Sequence, residues 1–201
     1  MTAEDRHPVL LVHGIWKTYA AFRRMSRYLT ARGFAVHGLD LTPNDGRAGL
    51  DELAGQVAAH VDSTFPAGAP LDLIGFSMGG LVTRYYVQRL GGIERVRRFI
   101  TISAPHHGSQ WAHVRSLPGY LHMRPESAFL QDLNSDVAML SRISFTSIWT
   151  PLDLMILPSS SSRLPVGEEV LVASPLHGLM LEDPRSFKAV AAALSAPQKA
   201  R

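Results

Sequence analysis

Cysteine is absent from this chain of 201 residues. Its absence excludes disulfide bonds, thiolate metal sites and a cysteine nucleophile, and it is compatible with an oxidising or a reducing compartment. Long apolar runs are missing as well. The polar first eight residues lead into an apolar run at 9–12 that is too short for a signal-peptide core or a membrane span. A cytoplasmic location is the default expectation, and a secreted form whose leader has been removed stays an open alternative.

Charged residues are few, at 18% of the chain, and the net charge is only +3. Hydrophobic residues make up 46%, which is typical of a globular protein with a well-buried core, and the length predicts one domain over residues 1–201. Lysine and arginine are scattered, with no basic stripe interleaved with aromatics, so nucleic-acid binding is not expected. The densest basic group, Arg95, Arg97 and Arg98, is expected at a solvated junction before a strand. The serine run at 159–162, flanked by prolines, predicts a flexible surface loop.

Short apolar runs alternate with amphipathic ones along the whole chain, which favours parallel strands joined by helical crossovers. The expected strands are 9–12, 35–39, 71–76, 98–103, 145–149 and 169–172. The expected helices are about 20–31, 50–65, 79–90, 128–141 and 184–194. The predicted fold class is therefore α/β, a small doubly wound and mostly parallel sheet of about six strands with helices on both faces. In such sheets, functional residues follow the carboxyl ends of the strands.

Ser77 lies between two glycines at the point where the third expected strand becomes a helix, in the run Gly75-Phe76-Ser77-Met78-Gly79. On so tight a turn the serine hydroxyl is pushed out above the sheet, and glycine on both sides keeps Cβ atoms out of the space that the turn closes. The flanking apolar strand and helix distinguish this motif from chance matches. The pattern predicts a nucleophilic serine.

A serine nucleophile needs a base, and the base needs a carboxylate that fixes its tautomer. On this type of sheet the chain order is serine, acid, histidine. His177 is the histidine that follows the last expected strand, and Asp153 follows the fifth, so they are the expected base and acid. The other late acids fit structural roles better: Asp132 and Asp136 lie on a solvated helix face, and Asp183 precedes Pro184 as a helix cap.

The amides of Ile15 and Met78 are the expected donors to a developing oxyanion, because both follow sharp turns at strand ends. The His13 ring is expected to brace the first of these turns. Residues expected to contact substrate are Trp16, His106, Trp111 and Leu176. The apolar segment 111–125 would line an acyl pocket or form a short cover, and a plain packed loop is an equally good interpretation of it. No metal site is expected, because adjacent His106 and His107 do not face one site and lack companion ligands.

Five features follow one another along the chain: His13-Gly14, the serine motif with Gly80, the run Ala104-Pro105-His106-His107-Gly108-Ser109, Asp153 and His177. With these motifs the chain resembles the α/β-hydrolase superfamily and is similar to the bacterial class 2 lipases, including the small lid-less ones. The likeness runs from about residue 9 to 187. Two departures are that Phe76 stands where such lipases usually carry histidine, and that neither the lid nor the calcium site of the larger relatives is found.

The resemblance implies carboxylic-ester hydrolysis on a small-molecule or lipid ester, with Ser77 as nucleophile, His177 as base, Asp153 as orienting acid and no cofactor. The sequence leaves open an acyltransferase, a thioesterase or an amidase on the same residues, because one site serves all four chemistries. A catalytically silent binding protein and a membrane-surface enzyme are the remaining alternatives. Nothing in the sequence indicates an oligomeric state.

Overall fold

The computed structural model describes residues 6–198. The first five and the last three residues lie outside this range, and with them both ends of the expected domain 1–201 and most of the polar segment before the first strand. Among the described residues, no helix combines the length and the apolar composition that crossing a bilayer requires.

Within this range six strands form one sheet, and every neighbouring pair is parallel. The strands are β1 (Val9–Val12), β2 (Val36–Leu39), β3 (Leu71–Phe76), β4 (Val96–Ile102), β5 (Ser144–Trp149) and β6 (Glu168–Leu171). Their spatial order is β2-β1-β3-β4-β5-β6. The expected six-stranded α/β architecture is confirmed, with each strand within about two residues of its expected bounds.

The helices between residues 6 and 198 are α1 (Arg23–Thr30), α2 (Leu50–Thr64), α3 (Met78–Arg89), α4 (Pro118–His122), α5 (Ala128–Ser135) and α6 (Pro184–Ser195). Two expected helices were too long, since a 3-10 turn precedes α1 and another follows α5. The short helix α4 was not expected. Asp183 caps α6 as expected: its side chain accepts a hydrogen bond from the Arg185 N–H at 2.8 Å.

Helices cover both faces of the sheet, because alternate residues of each buried strand point to opposite sides. In β1, Leu10 and Val12 pack with α2 and α3, whereas Val9 and Leu11 pack with α1 and α6. These two layers are called the α2/α3 face and the α1/α6 face below. The strand order runs outward in opposite directions from β1 and from β3, so it reverses between these two strands. The loops that follow β1 and β3 therefore meet at this point, and sheets of this kind bind ligands there.

Asp72 on β3 and Arg98 on β4 form a buried ion pair at the opposite end of the sheet. The Arg98 Nη1 lies 3.2 Å from the Asp72 Oδ2, and the two side chains are 2% and 1% exposed. The guanidinium also donates from Nη2 to the carbonyl of Ala196, just after α6, at 3.0 Å. Arg98 therefore links the sheet to the negative end of α6. The expectation that Arg98 lies at a solvated junction is wrong.

The serine run also differs from expectation, because it forms a 3-10 turn, Ser159–Ser162, in which Ser161 and Ser162 are buried. The Ser161 hydroxyl accepts a hydrogen bond from the His107 N–H at 3.1 Å, and the Ser162 carbonyl accepts one from Ser147. The Ser161 hydroxyl thus satisfies backbone groups of the loop after β4, and the Ser162 carbonyl ties the turn to β5, so the run has a structural role.

Replacing Arg98 by methionine (Arg98→Met) should destabilise the fold by about 3–5 kcal/mol at pH 8, because it leaves the Asp72 carboxylate buried without its partner. Burial raises the pKa of Asp72 to about 7 even with Arg98 opposing that shift. When folding raises the pKa of an acid, the folded protein loses stability as the pH rises towards that pKa. Without Arg98 the pKa of Asp72 is higher still, so this loss of stability continues to higher pH.

The gap in urea-unfolding free energy between Arg98→Met and the unsubstituted protein should therefore widen from pH 7 to pH 9. Arg142→Met is the matched control, since it breaks the exposed pair with Glu94 and should cost at most about 1 kcal/mol. Equal costs for the two variants would contradict the role given to Arg98.

Candidate active site

Ser77 occupies the turn between β3 and α3 in a conformation that a non-glycine residue seldom adopts, with φ 54° and ψ −125°. Its N–H donates to the Ile102 carbonyl at 2.9 Å, so the neighbouring strand β4 holds the turn. The side chain is only 6% exposed. Strained backbone of this kind persists where the surrounding structure fixes it and is concentrated at functional sites.

The glycines around Ser77 leave no room for larger residues. A Cβ on Gly79 would collide with the carbonyl oxygens of Val12 and His13, and one on Gly75 would lie 2.6 Å from the Gly79 carbonyl oxygen. A Cβ on Gly14 would lie 2.8 Å from the Ser77 Cβ. The loop after β1 therefore rests directly against the serine turn, and glycine is required on both sides of this contact.

Asp153 and His177, from the loops after β5 and β6, are joined by a hydrogen bond of 2.6 Å between His177 Nδ1 and Asp153 Oδ2. The other carboxylate oxygen accepts from the N–H groups of Met155 and Ile156, each at 2.9 Å. Both side chains are buried. Because the carboxylate accepts at Nδ1, we assign the proton to that nitrogen, which leaves Nε2 unprotonated in the neutral ring.

The alternative acids lie elsewhere. Asp132 and Asp136 both bind Arg89 of α3, at 2.8 Å each, on a part of the surface formed by α3 and α5. Both residues therefore lie at the solvent-exposed surface, as the sequence analysis expected.

Phe76 connects the serine turn with the histidine. Its ring centroid lies 4.8 Å from that of His177, with an angle of 35° between the planes. Among the hydrogen bonds of residues 6–198, none joins the Ser77 hydroxyl to His177. This is compatible with a catalytic pair, because catalytic hydrogen bonds are often long or poorly aligned before substrate binds. The aromatic residue found where similar lipases carry histidine thus supports the histidine ring, a role that the sequence did not reveal.

The His13 ring is fully buried and bonded at both nitrogens. Nε2 accepts from the Leu41 N–H at 2.9 Å, so Nδ1 carries the proton and donates to the Gly14 carbonyl at 2.8 Å. Burial lowers the pKa of His13, which keeps the ring in this neutral form at physiological pH. The two hydrogen bonds of the His13 ring brace the turn after β1, as the sequence predicts.

This bond orients the Gly14–Ile15 peptide. The Gly14 carbonyl accepts from the His13 ring and from the Lys17 N–H at 3.2 Å. In a trans peptide the carbonyl and the following N–H point in opposite directions, so the Ile15 N–H faces away from His13. Met78 is the first residue of α3, and its N–H has no acceptor within the helix. Among the backbone hydrogen bonds of residues 6–198 outside helices and strands, none is donated by the Ile15 or Met78 N–H, and their role at an oxyanion stays a prediction.

A narrow cavity of about 20 Å³ lies at Ser77 on the α2/α3 face. Most of its lining is apolar: Ile15, Pro105, Trp111, Ala112, Met123, Met155 and Ile156, with Ser77 and Ser109 as the polar members. The segment 111–125 thus contributes a packed wall that includes α4. Trp111 also stacks on Tyr120 at 5.8 Å and contacts the Trp16 ring edge-on at 5.5 Å.

Three residues expected to contact substrate are not among those that line the cavity. Trp16 is half exposed and contacts the lining residue Trp111 from outside the cavity. His106 is fully buried under the loop after β4, with Nε2 3.0 Å from the Thr101 hydroxyl, and burial together with the charge of Arg84 lowers its pKa well below the usual value. Its ring therefore supports the loop and is absent from the cavity wall. Leu176 is half exposed and lines a separate open depression. Met155 and Ile156, which sequence reasoning missed, follow Asp153 closely, and that proximity is the only signal that could have found them.

Potential metal ligands do not converge in the described part of the chain: no group of three histidine, aspartate or glutamate side chains there could hold an ion.

Comparison with known proteins identifies relatives. The sequence model of the palmitoyl protein thioesterase family matches residues 8–135. Lysosomal thioesterase PPT2 of Homo sapiens is 36% identical over 107 residues, which are 50% of this chain and 34% of that protein, and the Mus musculus protein is 35% identical over the same shares. The chain thus spans about a third of the length of these curated relatives.

Solved lipases share the fold. The mature lipase BlEst2 of Bacillus licheniformis superimposes with a TM-score of 0.75 at 16% identity, over 94% of this chain and 92% of that chain. Aspergillus fumigatus lipase B gives 0.81 at 19% identity, over 97% of this chain and 54% of its own.

The family match contains the loop after β1 and the serine turn, and it ends before Asp153 and His177. It covers more than half of the chain, and the fold agrees with it. This chain belongs to the palmitoyl protein thioesterase family and has the α/β-hydrolase fold.

Proposed function

We propose that the protein is a serine hydrolase that cleaves carboxylic esters of short to medium acyl chains through an acyl-enzyme on Ser77. The observation that carries this proposal is the hydrogen-bonded Asp153–His177 pair together with the strained backbone of Ser77 at the turn before α3. Nucleophile, base, orienting acid and oxyanion donors are the parts that acyl transfer to serine requires.

In the first half of the reaction the Ser77 oxygen attacks the acyl carbon while His177 Nε2 takes the hydroxyl proton. The tetrahedral intermediate then collapses: the bond to the leaving oxygen breaks, and His177 returns the proton to it. Water repeats the sequence on the acyl-enzyme, with its proton passing through His177 to Ser77, and the carboxylic acid is released. Asp153 holds the imidazole in one tautomer throughout.

The amides of Ile15 and Met78 are proposed to hold the oxygen that becomes negative. Donors of this kind are effective because they are in place before the reaction and need no reorganisation. The Gly14 carbonyl is fixed by two hydrogen bonds, which supports a fixed direction for the Ile15 N–H. His13 acts here as a positioning residue.

The apolar cavity beside Ser77 is proposed to receive the acyl chain. At about 20 Å³ it is far smaller than a typical ligand pocket, so an acyl chain fits only when lining side chains move, which favours short to medium chains. Met123 and Met155 line it with flexible side chains that adapt to different occupants.

Thioester hydrolysis is the second candidate, and the family match over residues 8–135 favours it. The acyl half of the reaction is the same for both substrates. A thiol leaves more readily as an anion than an alcohol does, so the thioester makes a smaller demand on His177 as an acid.

Hydrolysis of p-nitrophenyl esters of rising chain length, together with alkyl thioesters of the same acids, tests the proposal. The substitution Ser77→Ala should lower kcat by a factor on the order of 10⁴ or more on every active substrate, because the nucleophile is removed. Ser63→Ala, on the exposed side of α2, is the matched control and should retain full activity. A folded protein without Ser77-dependent activity on esters or thioesters would overturn the proposal.

His13→Phe should lower kcat roughly tenfold or more with little change in KM, because the Gly14–Ile15 peptide loses one of the two hydrogen bonds that hold it. The effect should be smaller than complete loss of an oxyanion donor, which lowers kcat by a factor of about 10²–10³. The Leu41 N–H also loses its acceptor, at a cost of about 1–3 kcal/mol, so kinetics are measured well below the melting temperature of the variant. An unchanged kcat would mean that His13 contributes to folding alone.

Phe76→Ala should lower kcat on the order of tenfold to a hundredfold, because the His177 ring loses the flat surface that it packs on and small misplacements of a catalytic group are costly. Phe76→His keeps an aromatic ring there and should stay within about threefold of the unsubstituted enzyme. If the two variants lose activity equally, ring packing is not what Phe76 supplies.

A further inference from the structure

Ser109 lies in the loop after β4 and lines the cavity together with Ser77. The residue is almost fully buried, at 3% exposed. Its hydroxyl donates to the Met155 carbonyl at 2.7 Å and accepts from the N–H groups of Leu157 at 3.0 Å and Trp111 at 3.2 Å. A serine hydroxyl has one donor and two acceptor positions, so backbone groups occupy all of them.

The segment 151–157, which carries the proposed acid, has neither helix nor strand structure. Its position therefore depends on hydrogen bonds to its neighbours. Within residues 6–198 it is held from outside by the bond to His177, by the adjacent Thr150 hydroxyl and by three bonds to Ser109 and Gln110. The last of these runs from the Gln110 N–H to the carbonyl at position 157, at 2.9 Å. The loop after β4 thus anchors this segment.

A short series of bonds runs from Ser109 to the proposed acid. The Ser109 hydroxyl binds the Met155 carbonyl, and the N–H groups of Met155 and Ile156 both donate to Asp153 Oδ1 at 2.9 Å. The other carboxylate oxygen accepts from His177 Nδ1 at 2.6 Å. The direction in which the carboxylate faces the imidazole is therefore set by the backbone that Ser109 holds.

Building on the proposed acyl-enzyme mechanism, we propose that Ser109 is a positioning residue, whose hydroxyl fixes the orientation of the Asp153–His177 pair. The acid acts through geometry, because it holds the imidazole in one tautomer and one direction. Displacement of a catalytic group by about 1 Å lowers the rate by a factor on the order of 10². Ser109→Ala leaves three backbone groups without their partner, and the segment recovers those bonds only by shifting.

The first measurement is kcat and KM for p-nitrophenyl acetate, whose acyl group makes the least use of the cavity. Ser109→Ala should lower kcat about tenfold and change KM by less than about threefold, because the proposed acid is displaced while the substrate contacts remain. Ser109→Thr keeps the hydroxyl and suits the extended backbone at this position, with φ −140° and ψ 136°, so it should retain kcat within about threefold.

A double-mutant cycle with Asp153→Asn separates positioning from a general structural role. Asp153→Asn alone should lower kcat by a factor on the order of 10⁴, because an amide does not hold the required tautomer. If Ser109 acts through the carboxylate, adding Ser109→Ala to this variant should lower kcat by less than about twofold further. A structural role alone would give the same loss in both backgrounds. The rate of Ser77→Ala is subtracted as the blank.

Ser161→Ala is the matched control. Ser161 is also 3% exposed, and its hydroxyl donates to the Gly108 carbonyl and accepts from the His107 N–H in the same loop after β4. Within residues 6–198 neither partner bonds to the segment 151–157. The variant should therefore unfold at lower urea concentration than the unsubstituted protein but keep kcat within about twofold.

If Ser109→Ala does not fold, Ser109→Cys takes its place, because a thiol of similar size forms only weak hydrogen bonds. If the acetate is not cleaved, the shortest active ester replaces it. An unchanged kcat in Ser109→Ala, equal losses in both backgrounds, a threonine variant as slow as the alanine one or an equal loss in Ser161→Ala would overturn the assignment of Ser109 and leave the proposed ester hydrolysis standing. A folded protein without Ser77-dependent activity on any ester or thioester would reject both.

Discussion

The close approach of two backbones, the loop after β1 and the turn after β3, is the constraint on which the rest of the site depends. Gly14 meets the Ser77 side chain, and Gly79 meets the carbonyl oxygens at the end of β1. The parallel pairing of β1 with β3 brings the two loops together, and only residues without a Cβ fit between them. This contact places the Ile15 and Met78 amides beside one hydroxyl.

Buried hydrogen bonds, more than contacts between the proposed catalytic groups, hold the site in place. Three donors fix the Asp153 carboxylate, two donors fix the Gly14 carbonyl, and the His13 ring is bonded at both nitrogens. Polar groups removed from water are costly to leave unpaired, so each of these bonds resists displacement of its partner. By contrast, none of the hydrogen bonds found among residues 6–198 involves the Ser77 hydroxyl.

The two hollows near the site lie on different faces of the sheet. The cavity at Ser77 lies among core residues of the α2/α3 face, and the open depression at Leu176 lies among those of the α1/α6 face. The family match covers the serine turn and the loop after β1 but ends before β5, so Asp153 and His177 lie outside the matched residues.

The sequence by itself determined the strands, the serine turn and the order of serine, acid and histidine, because these depend on local periodicity, on glycine spacing and on where strands end. It placed Ser77, Asp153 and His177 at one edge of the sheet, and the structure joins the last two by a hydrogen bond. Only the tertiary structure decided that Arg98 is buried with Asp72, that Ser161 supports the loop of His107, that His106 lies away from the cavity, and that Phe76 packs on His177. Those facts depend on which distant segments pack together, and neither the burial of a side chain nor its partner is encoded in its own neighbours along the chain.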